Sequence, residues 1–124
     1  IDLSEGMLEV ARAKNIYGEL RQMTLGEELD FPDDAFAAVI SSGTITPRHA
    51  PPSSFSELIR VARSGSPVIF SMRDDPAQEP EYPDTVKGLT DAGLWQEVFV
   101  TESFQGMPYG EPDITHRVHV YEAK

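Results

Sequence analysis

In a chain without cysteine, chemistry falls to carboxylates, imidazoles and hydroxyls. Asp2 stands out among them. It follows one apolar residue and closely precedes Ser4, which opens an amphipathic helix, so it sits where a parallel strand ends and feeds a helix beside a ligand crevice. A carboxylate there can accept both hydroxyl hydrogens of a ribose, and open α/β sheets bind nucleotide-like ligands at that end of their strands. His49, within the proline-rich stretch TITPRHAPPS, carries the side chain best suited to exchanging a proton near neutral pH. Asp74 and Asp75 follow an apolar run and can meet a cationic substrate. His116 and His119 point to opposite faces of one strand and cannot chelate a metal as neighbours. With no further ligand at a suitable spacing, no metal site is assigned.

The elements that must position these residues follow from periodicity. From Ser4, a helix with Met7, Leu8, Val10 and Ala11 on one face runs to Asn15. Residues 19–25 alternate weakly and read as a strand, and the polar turn EELDFPDDAF leads into FAAVISS, residues 36–42, a buried parallel strand closed by Gly43. Ser54 and Glu57 have the spacing of a capping box, with Phe55, Leu58, Ile59 and Ala62 as the apolar stripe and Gly65 as the carboxyl-end cap. A strand over 68–72, an acidic proline-rich loop, and a helix over 84–92 follow. The last strands, 95–102 and 116–121, have no helix between them and should pair antiparallel. This order predicts an α/β fold in one domain over residues 1–124, with flanking helices and an antiparallel edge.

Composition excludes several classes of partner. The formal charge of -11, from 21 acids against 10 lysines and arginines, repels a phosphate backbone, and there is no basic cluster. Neither nucleic acid nor an anionic membrane is expected to bind. No run of eighteen apolar residues and no signal segment is present, so the expected location is cytoplasmic.

Taken in order, IDLSEGMLEVARAK, LDFPDDAFAAVISSGTITPRHA, FSELIRVARSGSPVIFSMRDD and LTDAGLW resemble the class I S-adenosylmethionine-dependent methyltransferases, and most closely the methyltransferase-like proteins of the Williams-Beuren syndrome chromosome region type. The resemblance implies a three-layer Rossmann-like fold with a mostly parallel sheet and a carboxyl-terminal antiparallel strand pair. It implies that Asp2 binds the ribose of S-adenosylmethionine, with Leu3, Met7, Thr24 and Leu25 toward the adenine. It places Ser41, Ser42 and Gly43 beside the methionine half, and His49 where the pocket for a small-molecule methyl acceptor begins.

The departures are specific. Thr24 stands where many relatives carry an acid, and Arg63-Ser64-Gly65-Ser66 replaces a Lys-Pro-Gly-Gly turn. None of the nine glycines forms the G-x-G turn that approaches the methionine carboxylate. In the family's sheet the first strand lies between the second and the fourth. The expectation is therefore a fragment lacking the first strand and helix, preceded in the native protein by several tens of residues. Alone it should bind the cofactor weakly, and an unpaired strand edge would invite a homo-oligomer. The alternatives are a noncatalytic remnant serving as an interaction module and a nicotinamide-dependent Rossmann enzyme. The latter does not predict the closing antiparallel pair.

Overall fold

A computed structural model describes residues Ile1–Lys124. Helix α1, Glu5–Ala13, starts as the sequence predicts: the Ser4 hydroxyl accepts the Met7 N–H, and Glu5 stands in the first turn. Its apolar stripe packs differently from the prediction. Only Leu8 is buried, whereas Met7 is 57% exposed and Val10 is also exposed. The expected strand over 19–25 reduces to a parallel bridge between Asp2 and Gln22. Side-chain support comes from Gln22 Nε2, which donates to the Leu3 carbonyl at 2.8 Å.

Strand β1, Val39–Ser41, pairs parallel with β2, Pro67–Arg73, and between them runs α2, Ser54–Val61. The regular strand is shorter than the predicted 36–42, because Phe36 instead bridges to Ala62 at the end of α2. That bridge also ends the helix: the Phe36 N–H donates to the Val61 carbonyl at 2.9 Å, and the Arg63 N–H to the Phe36 carbonyl at 2.9 Å. Gly65 is therefore not the helix cap. At φ +77 it makes the turn into β2, and its N–H reaches the Ala123 carbonyl.

The predicted capping box is not made either. Ser54 is the first residue of α2, its hydroxyl buried without a partner, and Glu57 is engaged by Arg60 and the Leu29 N–H. A guanidinium gives a carboxylate stronger, charge-assisted bonds than a backbone amide offers, so the ion pair takes the acid.

Helix α3, Glu81–Asp91, begins three residues before the predicted start and contains Pro83 in its first turn, where a missing N–H costs nothing. Strands β3, Trp95–Val100, β4, Phe104–Gln105, and β5, Thr115–Ala123, complete a five-stranded mixed sheet in the order β1-β2-β5-β3, with β4 also on β5. The closing antiparallel pair is present, and β5 lies between β2 and β3, antiparallel to both.

The two faces of this sheet differ. One carries Val68, Phe70, Met72, Tyr121 and Trp95 against Phe55 and Leu58 of α2 and Tyr82 and Val86 of α3, a single core. Phe70 stacks on Trp95 at 5.6 Å and on His119 at 5.1 Å, and Trp95 Nε1 donates to Thr90 Oγ1 at 3.0 Å, so the buried indole keeps a partner. On the other face the register aligns Ile40, Ile69, Val120 and Phe99 in one row across four strands. Ile40 is 70% exposed and Phe99 58%.

Burial pushes the His119 imidazole below its ordinary pKa, so the fold favours the neutral ring. The unfolded chain then takes up this proton first. Stability should be level above about pH 6.5, the range of a free imidazole, and fall below it. Asp75 acts in a lower window: Arg73 holds it down at about 2, so its contribution is full above the ordinary aspartate range and lost as pH falls toward that value. We expect His119→Phe, which keeps a ring on Phe70, to remove the decline that sets in below about pH 6.5. Urea midpoints across pH measure this, and an unchanged slope would refute it.

Candidate functional site

A cavity of about 760 Å³ lies between the Asp2 strand end and the outer edge of β1. This is the size of a site for a small organic ligand. Four separated stretches meet there: Asp2 and Leu3; Thr24 and Leu25; Ser41, Ser42 and Gly43; and His49. Of the residues the sequence singled out for the cofactor or for proton transfer, only Met7 is not part of its wall; it faces outward on α1.

Each wall has an identifiable support. Asp2 is held by its backbone, through its N–H to the Arg21 carbonyl and its carbonyl to the Met23 N–H. Its Oδ1 accepts the Ser4 N–H at 2.8 Å. Oδ2 makes no protein hydrogen bond and remains available to a ligand hydroxyl. Gly26 has φ +100, and a Cβ there would come within 2.4 Å of Pro51 Cγ, so only glycine lets the 24–27 turn close on the loop after β1. That loop is tied to α3 by Tyr82, whose hydroxyl donates to the Ala50 carbonyl at 3.2 Å. In the same loop His49 Nδ1 lies 3.0 Å from the buried Thr46 hydroxyl.

Sequence reasoning missed Glu19, Arg21, Met23, Leu29 and Phe31 on the cavity wall. The alternation 19, 21, 23, 25 was the available signal, since a period of two puts these side chains on one face. Arg21 packs over the Phe31 ring at 4.8 Å and pairs with Glu19 at 2.7 Å. Glu19 raises the guanidinium pKa. Asp74 and Asp75 lie away from the cavity and are engaged by arginines: Arg117 bonds Asp74 at 2.8 Å, and Arg73 grips Asp75 with two nitrogens at 2.8 and 2.7 Å. They are thus occupied in holding loops at the end of β2.

Leu29 and Phe31 belong to no helix or strand and are held from α2. Arg60 donates to the carbonyls of Leu29 and Phe31 at 2.9 and 2.8 Å, and Glu57 accepts the Leu29 N–H at 2.8 Å. Arg60 in turn lowers the Glu57 pKa, and the two acids Glu57 and Asp33 raise that of Arg60. Glu57→Gln should weaken the Arg60 bonds and the grip on Leu29, at a cost of roughly 1–3 kcal/mol. Thermal unfolding and amide exchange at Leu29 measure it; a variant with wild-type exchange at Leu29 would show that the wall does not depend on this acid.

Comparison with known proteins bears on the family and the fold. Residues 1–70 match a family described as a methyltransferase domain, which is more than half the chain. Methyltransferase-like protein 27 from Homo sapiens is 32% identical over 101 residues, covering 77% of this chain and 40% of that protein. The chain therefore spans well under half the length of that relative. An S-adenosylmethionine-dependent methyltransferase from Methanosarcina mazei superposes with a TM-score of 0.70 at 12% identity, covering 98% of this chain and 79% of that one. The [4+2]-cyclase SpnF gives 0.70 at 10% identity, covering 98% and 63%. The structural likenesses concern the fold alone, and one of them is to a cyclase, but the match over residues 1–70 and the human relative place the chain in a family: it belongs to the methyltransferase domain family.

Proposed function

We propose that this protein transfers a methyl group from S-adenosylmethionine to a small-molecule acceptor in the cytoplasm. The observation that carries this reading is the convergence of Asp2, Thr24, Leu25, Ser41 to Gly43 and His49 on one cavity from four separate stretches of chain. The residues present suit the nucleoside half of the cofactor. Asp2 offers a free carboxylate oxygen for ribose hydroxyls, and Leu25, Leu29 and Phe31 offer an apolar wall for a purine. When bound, the cofactor supplies an electrophilic methyl on a sulfonium. The protein then has to orient the acceptor in line with that methyl and exclude water, which by itself can lower the barrier by several kcal/mol. His49, braced by Thr46, is the group in the wall suited to take a proton from the acceptor.

We infer as well that the working protein carries a further strand along the free edge of β1, with a covering element over Ile40, Ile69, Val120 and Phe99. An apolar row across four strands, exposed at Ile40 and Phe99 and half-buried at Ile69 and Val120, supports this, as does the greater length of the human relative. A noncatalytic interaction module is the second reading, favoured by the same open edge and uncovered row.

Calorimetry with S-adenosylhomocysteine separates the two. Protein from the complete reading frame should bind it, residues 1–124 alone should bind weakly, and Asp2→Ala should weaken binding by roughly 10- to 100-fold, the worth of hydrogen bonds to a charged group. No binding by the complete protein would select the module, and equal binding by Asp2→Ala would remove Asp2 from the site. The missing cover has its own test. Ile40→Ala should change the stability of residues 1–124 by less than about 0.5 kcal/mol. In the complete protein it should cost about 2–5 kcal/mol, as for a buried isoleucine.

A further inference from the structure

We propose that Ser71 is a positioning residue for the cavity, acting through Gly43; this rests on the reading of the cavity as the cofactor site. The parallel ladder between β1 and β2 ends at the pair Ser41 and Phe70. One step further, Ser42 would face Ser71, but the chain has already turned: Gly43 adopts φ +66, a left-handed conformation that takes its amide out of the ladder. The Gly43 N–H is captured by a side chain instead, donating to Ser71 Oγ at 2.7 Å. No other protein group bonds that hydroxyl, so nothing competes for it. A second hydroxyl closes the same turn, with Thr44 Oγ1 donating to the Ser42 carbonyl at 3.2 Å.

Ser42, Gly43 and Thr44 line the cavity, whereas Ser71 does not. Ser71 therefore influences a ligand only through the turn it holds. The Thr44 bond is local, between residues two apart. The Ser71 bond comes from β2, so it sets where the turn sits relative to the sheet. Losing it would free the turn to shift on its left-handed glycine, with little effect on the core, because Ser71 points to the face opposite Phe70 and Met72.

The test uses protein from the complete reading frame. In Ser71→Ala, amide exchange at Gly43 should accelerate at least tenfold, while the core amides of β2 and the melting midpoint stay near wild type. Affinity for S-adenosylhomocysteine should fall roughly 3- to 10-fold, the range of one lost neutral hydrogen bond. Ser71→Thr, which keeps the hydroxyl, should restore both readouts. Unchanged exchange at Gly43, or faster exchange with wild-type affinity, would overturn the role of Ser71. Failure of the wild type to bind would instead remove the cofactor reading, and the positioning role with it, while Gly43 exchange would still report on the hydrogen bond.

Discussion

The guanidinium of Arg60 is the contact on which the rest of the site depends. It makes five hydrogen bonds: two to Glu57, one to Asp33, and one each to the carbonyls of Leu29 and Phe31. The segment it grips has no regular secondary structure, so its backbone groups have no ladder to satisfy them. A planar, permanently charged fork can serve several acceptors at once, which an ammonium on a flexible stem does less well. Through Arg60 and Glu57 together α2 holds the wall that carries Leu29 and Phe31, and Phe31 in turn supports Arg21 and packs edge-on against Phe36 at 4.9 Å. Removing the Glu57 charge leaves Arg60 with Asp33 as its remaining acid, and removing Arg60 leaves the carbonyls of Leu29 and Phe31 without their side-chain donor.

The sheet gives this wall something to be held against. Its core face is an aromatic stack in which Phe70 contacts Phe55, Trp95, His119 and Tyr121. Buried rings of this size contribute most of a small domain's hydrophobic stabilisation. The phenols are satisfied, with the Tyr121 hydroxyl donating to Glu97 at 3.1 Å and the Tyr82 hydroxyl to Ala50, whereas His119 Nδ1 is buried without a partner. Burial and Glu97 together push the Tyr121 phenol up to about 12, so it remains a donor at any physiological pH. The opposite face has no such aromatic stack, and of its apolar row only Ile40, on the edge strand β1, also lines the cavity.

The division of labour fits the proposed reaction, which asks little of acids and bases. The proposed methyl transfer would need placement above all, and the structure supplies it: left-handed glycines at 26 and 43, a hydroxyl bond across strands at Gly43, Arg60 of α2 holding the 29–33 segment, and arginines holding the loops at the carboxyl end of β2. The negative charge of the chain is spread over exposed acids, while several buried or half-buried carboxylates are each matched to an arginine.

Much of this was legible in the sequence, because helix caps, periodicity and turn residues are local. Asp2 beside a capped helix, the three helices and the main strands with their closing antiparallel pair follow from local spacing, whereas the expected strand over 19–25 did not form and β4 was not foreseen. The tertiary structure decided what local spacing cannot. Met7 and Leu8 share one helix stripe, yet only Leu8 is covered, since burial depends on what packs there. Ser54 and Glu57 have capping-box spacing, but Leu29, twenty-eight residues away, and Arg60 compete for the acid and take it. Phe31 reads as part of a polar turn until α2 folds that turn onto the cavity. Sequence by itself determined the elements and the side chains able to do chemistry; only the fold decided which of them meet, because charge pairing and burial are settled between segments distant along the chain.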